Sequence, residues 1–101
     1  MKRVEFHPEA EAELEASVSY YEECAPGLGV DLRKQVEIAV KKILVAPERW
    51  MAGSKRTRRF LIRRFPYRII YLELPEIIVV VAVAHGKRRP GYWHRLIMPN
   101  S

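Results

Sequence analysis

A single cysteine, Cys24, stands among 101 residues, so the chain cannot close a disulfide on itself. Histidine is nearly as scarce. His7, His85 and His94 form no spaced ligand set with that cysteine, and neither a metal centre nor any other cofactor is expected. The glycines make no phosphate-cradling loop. Long hydrophobic runs are also missing: the longest, Ile77 to Ala84, has eight residues, against about 20 for a membrane-spanning helix. Met1 to Phe6 lacks the extended apolar region of a secretory signal. These absences predict a cytoplasmic protein without a membrane partner. With 49% hydrophobic and 30% charged residues the composition is that of a globular protein, and the length suits one domain spanning residues 1–101. Disorder is expected only at Pro99 to Ser101.

Acidic residues are nearly absent from the second half. Residues 1–50 carry seven Lys or Arg against ten Asp or Glu, whereas residues 51–101 carry eleven against two, a net charge of −3 beside one of +9. A basic face of that kind favours polyanions: nucleic acid, an anionic surface or an acidic protein segment.

Apolar core material and most of this positive charge share the stretch Arg58 to Arg95. Ile77 to Ala84 is mostly β-branched, follows Pro75 and precedes His85-Gly86, which is how a strand buried on both faces reads. Upstream, Phe65, Tyr67, Ile69 and Tyr71 alternate with Arg68, Ile70 and Leu72, a second strand with two distinguishable faces. Glu73 to Glu76 links the two as a hairpin. Arg58 to Arg64 sets Phe60 and Ile62 opposite Arg59, Leu61 and Arg63, a third strand of the same antiparallel sheet.

Before this region, Lys2 to Phe6 reads as a short strand with Val4 and Phe6 on one face. Pro8 suits a first helical position, and Glu9, Glu11 and Glu13 complement the positive end of a helix dipole. A helix from Pro8 to about Cys24 buries Ala10, Leu14, Val18 and Tyr21 as one stripe and stops at Ala25-Pro26-Gly27. A second, from Leu28 to Ala46, sets Leu32, Val36, Ala39, Val40 and Ile43 inward and ends before Pro47. The pair predicts an antiparallel helical hairpin over one face of the sheet. Glu48 to Thr57 reads as a loop bringing Lys55 and Arg56 towards it. Cys24 reads as a small buried hydrophobe, and Tyr20-Tyr21 as core plus rim.

His7-Pro8-Glu9-Ala10, Tyr20-Tyr21-Glu22, Arg64 to Tyr71 (RFPYRIIY), and Ala82-Val83-Ala84-His85 followed by Arg88-Arg89-Pro90-Gly91-Tyr92-Trp93 occur in one order across nearly the whole chain. In that order the chain resembles the RelE/ParE superfamily of toxins from type II toxin–antitoxin systems. The resemblance implies an α+β fold: an N-terminal strand, a two-helix antiparallel hairpin, then a mostly antiparallel three-strand sheet with a basic C-terminal tail. It also implies a cognate antitoxin, whose acidic, partly disordered segment would fold over the helix hairpin or the basic sheet.

The superfamily contains RelE-like members that cut mRNA on the ribosome and ParE-like members that inhibit DNA gyrase. Cleavage by a 2′-hydroxyl requires a proton acceptor, a proton donor and cations around the phosphorus. RelE looks to supply a lysine pair, two arginines and a C-terminal tyrosine. By resemblance the two arginines fall on Arg68 and Arg88, but the lysines fall on Arg59 and Leu61. A guanidinium hardly ever releases its proton and an aliphatic side chain has none to give. The tyrosine position falls near His94, with Tyr92 two residues away, and a histidine of ordinary pKa about 6.5 is a good acid or base. If the chain is a ribonuclease, the candidate catalytic set is Arg59, Arg68, Arg88, Tyr92 and His94. Target binding would add Lys55, Arg56, Arg63, Lys87 and Arg89.

Bland roles stand beside these. His85 reads as a strand-end residue that hydrogen-bonds and turns the tail, and Tyr92 and Trp93 as aromatics packing the tail on the sheet. Some of the strand arginines are solvated surface. The resulting expectation is a ParE-like, non-cleaving toxin. The alternatives are a ribosome-dependent mRNA endoribonuclease and a harmless basic nucleic-acid-binding domain.

Overall fold

A computed structural model describes residues 2–97. The expectation of disorder at Pro99 to Ser101 lies outside them. Five strands and two helices follow in the order β1 (Arg3–Phe6), α1 (Pro8–Cys24), α2 (Leu28–Val45), β2 (Met51–Ala52), β3 (Arg58–Leu61), β4 (Tyr67–Glu73) and β5 (Ile77–His85). Short 3-10 turns occupy Ser54–Arg56 and His94–Leu96.

The sheet order is β1-β5-β4-β3-β2. β1 lies parallel to β5, pairing Arg3 with Ile77 and Phe6 with Val80; every other pair is antiparallel. The expected three-strand sheet is thus extended at both edges. β1 joins through the crossover that α1 and α2 supply, and Met51–Ala52 adds a two-residue strand inside the expected loop. The third strand ends at Leu61 rather than Arg64, because Arg64 takes a left-handed backbone (φ 73°) and the Ile62 N–H closes a turn on the Tyr67 carbonyl at 3.0 Å.

Local chemistry sets the helix ends. His7 Nδ1 accepts the Glu9 N–H at 3.0 Å and Pro8 opens α1. Between the helices Gly27 turns the chain at φ 87°, a value glycine adopts without a Cβ clash. The Glu22 carboxylate then accepts the N–H groups of Gly27 (2.7 Å) and Gly29 (3.0 Å), which satisfies donors that the start of α2 leaves without helical partners.

The hairpin covers one sheet face. Ala10, Leu14, Leu32, Val36, Ala39 and Ile43 pack there on Ile69, Tyr71, Ile78, Val80 and Val83. On the other face Ile70, Val81, Ala82 and Ala84 are covered by Trp93, with Leu96 and Ile97 beside it. β5 is therefore buried from both sides, and the tail is its second cover. A bulge helps: Ile70 pairs with Ala82 but Tyr71 with Val80, so the extra residue Val81 puts two neighbouring side chains on the tail side.

Candidate functional site

The outer sheet face, away from the helices, collects part of the expected set. Arg59 pairs with Ile70 across β3 and β4, and Arg68 with Leu61, which makes the two arginines diagonal neighbours on one face. With Gly53, Ser54, Thr57, Ile70, Pro90, Gly91 and Trp93 they line a cleft of about 80 Å³. Among the described residues neither arginine is ion-paired with a carboxylate, and Arg59 lies against the Met51 sulfur at 2.8 Å. Two like charges lining one cleft without a counter-ion make it anion-accepting. His94 stands beside two of its lining residues: Nε2 is 2.7 Å from Ser54 Oγ, and the ring lies over Gly91, where a Cβ would meet His94 Cε1 at 2.6 Å. Leu61 points out of the same face, 69% exposed.

Lys55 and Arg56 lie in the turn between Ser54 and Thr57, which line this cleft. Both adopt left-handed backbone (φ 57° and 63°), a conformation that costs a non-glycine residue about 1–2 kcal/mol. The turn is held there by the Gly53 N–H on the Thr57 carbonyl (2.8 Å) and by Thr57 Oγ1 donating to the Ser54 carbonyl (2.6 Å). Thr57 is buried, whereas Lys55 and Arg56 are exposed. Arg63 is exposed in the β3–β4 turn.

Arg88 and Tyr92 sit at the free edge of β5, where the Tyr92 ring packs against the same outer-face cluster as Trp93. Tyr92 donates its hydroxyl to Glu13 of α1, and Arg88 lies 3.7 Å from the same carboxylate and 3.7 Å over the Tyr92 ring. Burial, followed by the bond to Glu13, pushes the Tyr92 phenol well above its ordinary pKa. Lys87 and Arg89 flank Arg88 on an exposed loop. His85 accepts the Lys87 N–H on Nδ1 at 3.0 Å, so it turns the chain here. The expected residues thus form two groups, Arg59, Arg68 and His94 at the cleft and Arg88 with Tyr92 at the edge. Sequence reading missed Glu13, Glu9 and Ser54. The glutamates' spacing of four on α1 was the available signal, read only as a complement to the helix dipole.

Two further features belong to this description. A groove of about 420 Å³ runs between the hairpin and β1, lined by Phe6, Leu14, Val36, Val40 and Leu44 with Arg33, Glu37 and Lys41 around it. Cys24, expected in the core, is exposed: residues 22–27 at the hairpin's corner all face solvent, beyond the reach of the sheet. Among the described residues no cluster of three His, Cys, Asp or Glu could hold a metal ion, and no helix is long and apolar enough to cross a membrane.

Solved structures share this fold, a toxin–antitoxin system chain and a toxin chain among them. A chain of the chromosomal ParDE toxin–antitoxin system of Pseudomonas aeruginosa superposes with a TM-score of 0.73, covering 84% of this chain and 96% of its own at 18% identity. The isolated Escherichia coli RelE toxin superposes at 0.64, covering 96% and 97% at 19% identity. The likeness places this chain in the same fold as both of these chains. Closer in sequence is Toxin ParE2 of Mycobacterium tuberculosis, from strains CDC 1551 / Oshkosh and H37Rv alike, 31% identical over 91 residues that span 89% of this chain and 87% of the relative. The family model for the ParE toxin of the type II toxin–antitoxin system parDE matches residues 4–90. The chain belongs to that family: it is a ParE-like type II toxin, and membership implies an antitoxin as its partner.

Proposed function

We propose that this toxin arrests growth in the cytoplasm by inhibiting DNA gyrase without cutting RNA. The outer face carries the reading. Where proton transfer to and from a ribose and a leaving oxygen would occur, it presents the guanidiniums of Arg59 and Arg68 and the exposed aliphatic Leu61. Cations of this kind bind and orient an anionic surface but do not exchange protons near neutrality. His94, the one good acid–base group nearby, is engaged with Ser54 and stacked edge-on against Trp93 (4.4 Å). Lys55, Arg56, Arg63, Lys87, Arg88 and Arg89 extend the cationic surface that would meet the target.

The antitoxin segment is read as occupying the groove between the hairpin and β1. Its apolar side chains would fill the space over Leu14, Val36 and Val40, and its acidic residues would meet Lys41 and compete with Glu15 for Arg33. β1 is also the outermost strand, with one edge free to pair. Purified toxin added to gyrase and relaxed plasmid should block supercoiling, and a preformed complex with the product of a small neighbouring gene should not. Full supercoiling in the presence of excess toxin would overturn the gyrase reading.

A further inference from the structure

The charge that the sequence separates into two halves meets again in the fold. Glu9 and Glu13 lie one turn apart on α1, and Arg88, Tyr92 and Arg95 of the tail run back along them. Glu9 takes Arg95 through two contacts, one of them 3.1 Å, while Glu13 takes Tyr92 and Arg88.

Glu13 is itself fixed by the sheet. β1 stops at Phe6, and the last hydrogen bond along that edge runs from the His7 N–H to the Val80 carbonyl at 2.8 Å. Beyond it β5 continues to His85 with its outer edge unpaired by any strand among the described residues, and the Val83 N–H donates to Glu13 Oε1 at 2.9 Å. The other oxygen, Oε2, receives the Tyr92 hydroxyl. One carboxylate, its side chain about one-fifth exposed, therefore joins α1, the end of β5 and the tail. The Tyr92 ring in turn supports the Arg88 guanidinium, which is half exposed and faces solvent beyond it. An arginine on a free loop samples many rotamers; one stacked on a tethered ring is held in a narrow range before the target arrives.

We infer that Glu13, acting through Tyr92, is the positioning residue that sets Arg88 and the loop Lys87–Arg89 in the orientation used against the target. This rests on the reading of that loop as target-binding surface. Glu13 is committed to the Val83 N–H, the Tyr92 hydroxyl and Arg88, so its part is to hold these groups and not to bind the target itself. A purely stabilising role is separable by chemistry. In Glu13→Gln an acceptor for the Val83 N–H and the side-chain volume remain, while the charge facing Arg88 and the strong acceptor for Tyr92 are lost. In Tyr92→Phe the ring remains and its tether is cut.

The test is graded induction of the full chain in cells, comparing parent, Arg88→Ala, Glu13→Gln, Tyr92→Phe and the double variant, with protein level and thermal midpoint measured for each. Glu13→Gln and Tyr92→Phe should each raise the inducer needed for arrest at least tenfold at nearly unchanged midpoint, and the double should do no worse than either single. Ultraviolet titration of purified protein gives an independent reading: Tyr71 and Tyr92 both ionise late, and the Tyr92 step, identified by its loss in Tyr92→Phe, should move earlier in Glu13→Gln. Full toxicity of both single variants while Arg88→Ala is attenuated would overturn the proposal. So would losses that add in the double variant or follow a fall in midpoint. If Arg88→Ala arrests cells as the parent does, the reading of the loop itself falls, and the positioning role falls with it.

Discussion

Gly29→Ala sets two effects of opposite sign against each other. Helix propensity alone favours alanine over glycine by up to about 1 kcal/mol. The packing of the hairpin opposes it: a Cβ on Gly29 would lie 2.3 Å from the Val18 carbonyl oxygen and 3.0 Å from both Glu22 Cβ and Glu22 Oε1. A backbone oxygen inside α1 cannot swing aside as a side chain can, so the helices would have to separate. Overpacking costs about 1–3 kcal/mol, and a rigid backbone obstacle belongs at the upper end of that range. Separation would also stretch the Glu22 bonds to the Gly27 and Gly29 N–H groups that start α2. Taking about 3 kcal/mol against about 1 leaves a net loss of about 2 kcal/mol. At roughly 4–8 °C per kcal/mol for a domain of about this size, the midpoint should fall by roughly 8–16 °C. Circular-dichroism melts of parent and variant at equal concentration measure it. An unchanged or higher midpoint would refute the close helix–helix approach on which the hairpin's placement rests.

Three further outcomes follow from the packing and the titrating groups. Trp93→Ala should remove about 3–5 kcal/mol in urea unfolding, because Trp93 is only 5% exposed over Ile70, Val81, Ala82 and Ala84; a loss below about 1 kcal/mol would mean the tail does not cover that face. Burial pushes the Tyr71 phenol up to about 12, so between the unfolded value of about 10 and that point the native state holds the extra proton and stability falls as pH rises. Tyr71→Phe should flatten this alkaline loss and, by deleting the 2.6 Å bond to the Pro47 carbonyl, cost about 1 kcal/mol at pH 7; an alkaline profile identical to the parent's would contradict the assignment. Glu22 moves the other way: the Gly27 N–H, ahead of the smaller contributions from Gly29 and Val30, holds its carboxyl below the usual range. Its stabilisation is present above the unfolded carboxylate pKa and lost as pH falls through the lowered native value, so Glu22→Gln should melt with a shallower acid dependence than the parent.

Much of this fold was legible wherever the periodicity was local. α1 runs from Pro8 to Cys24 as its stripe and stop signals indicate, and the eight-residue apolar run lies within β5 and is covered on both faces. What was not legible depended on distant partners. Lys2 to Phe6 reads as a strand, but nothing in it says that it pairs parallel to a segment more than seventy residues away. Met51–Ala52 is too short to show a period. The bulge at Val81 changes which residues share a face without changing the composition of the run. Among the site residues, alternation set Arg59 opposite Phe60 and Arg68 opposite Ile69, but only the register of β3 on β4 puts the two arginines on one face, and the pairing of Glu13 with Tyr92 and Arg88 required the tail's path back along α1. Cys24 continues the helical pattern in sequence, yet the hairpin's corner extends past the sheet and leaves it exposed.

The central claim is that the cationic surface of this ParE-like toxin stops cells by acting on gyrase and not on messenger RNA. Induction of the chain alone, followed within minutes by sequencing of transcript 5′ ends and by labelling of new DNA, tests it most directly. The account predicts growth arrest with intact transcripts and halted DNA synthesis, relieved by Arg68→Ala and Arg88→Ala at unchanged protein level. Transcripts newly cut at ribosome-bound codons, with DNA synthesis continuing, would contradict it.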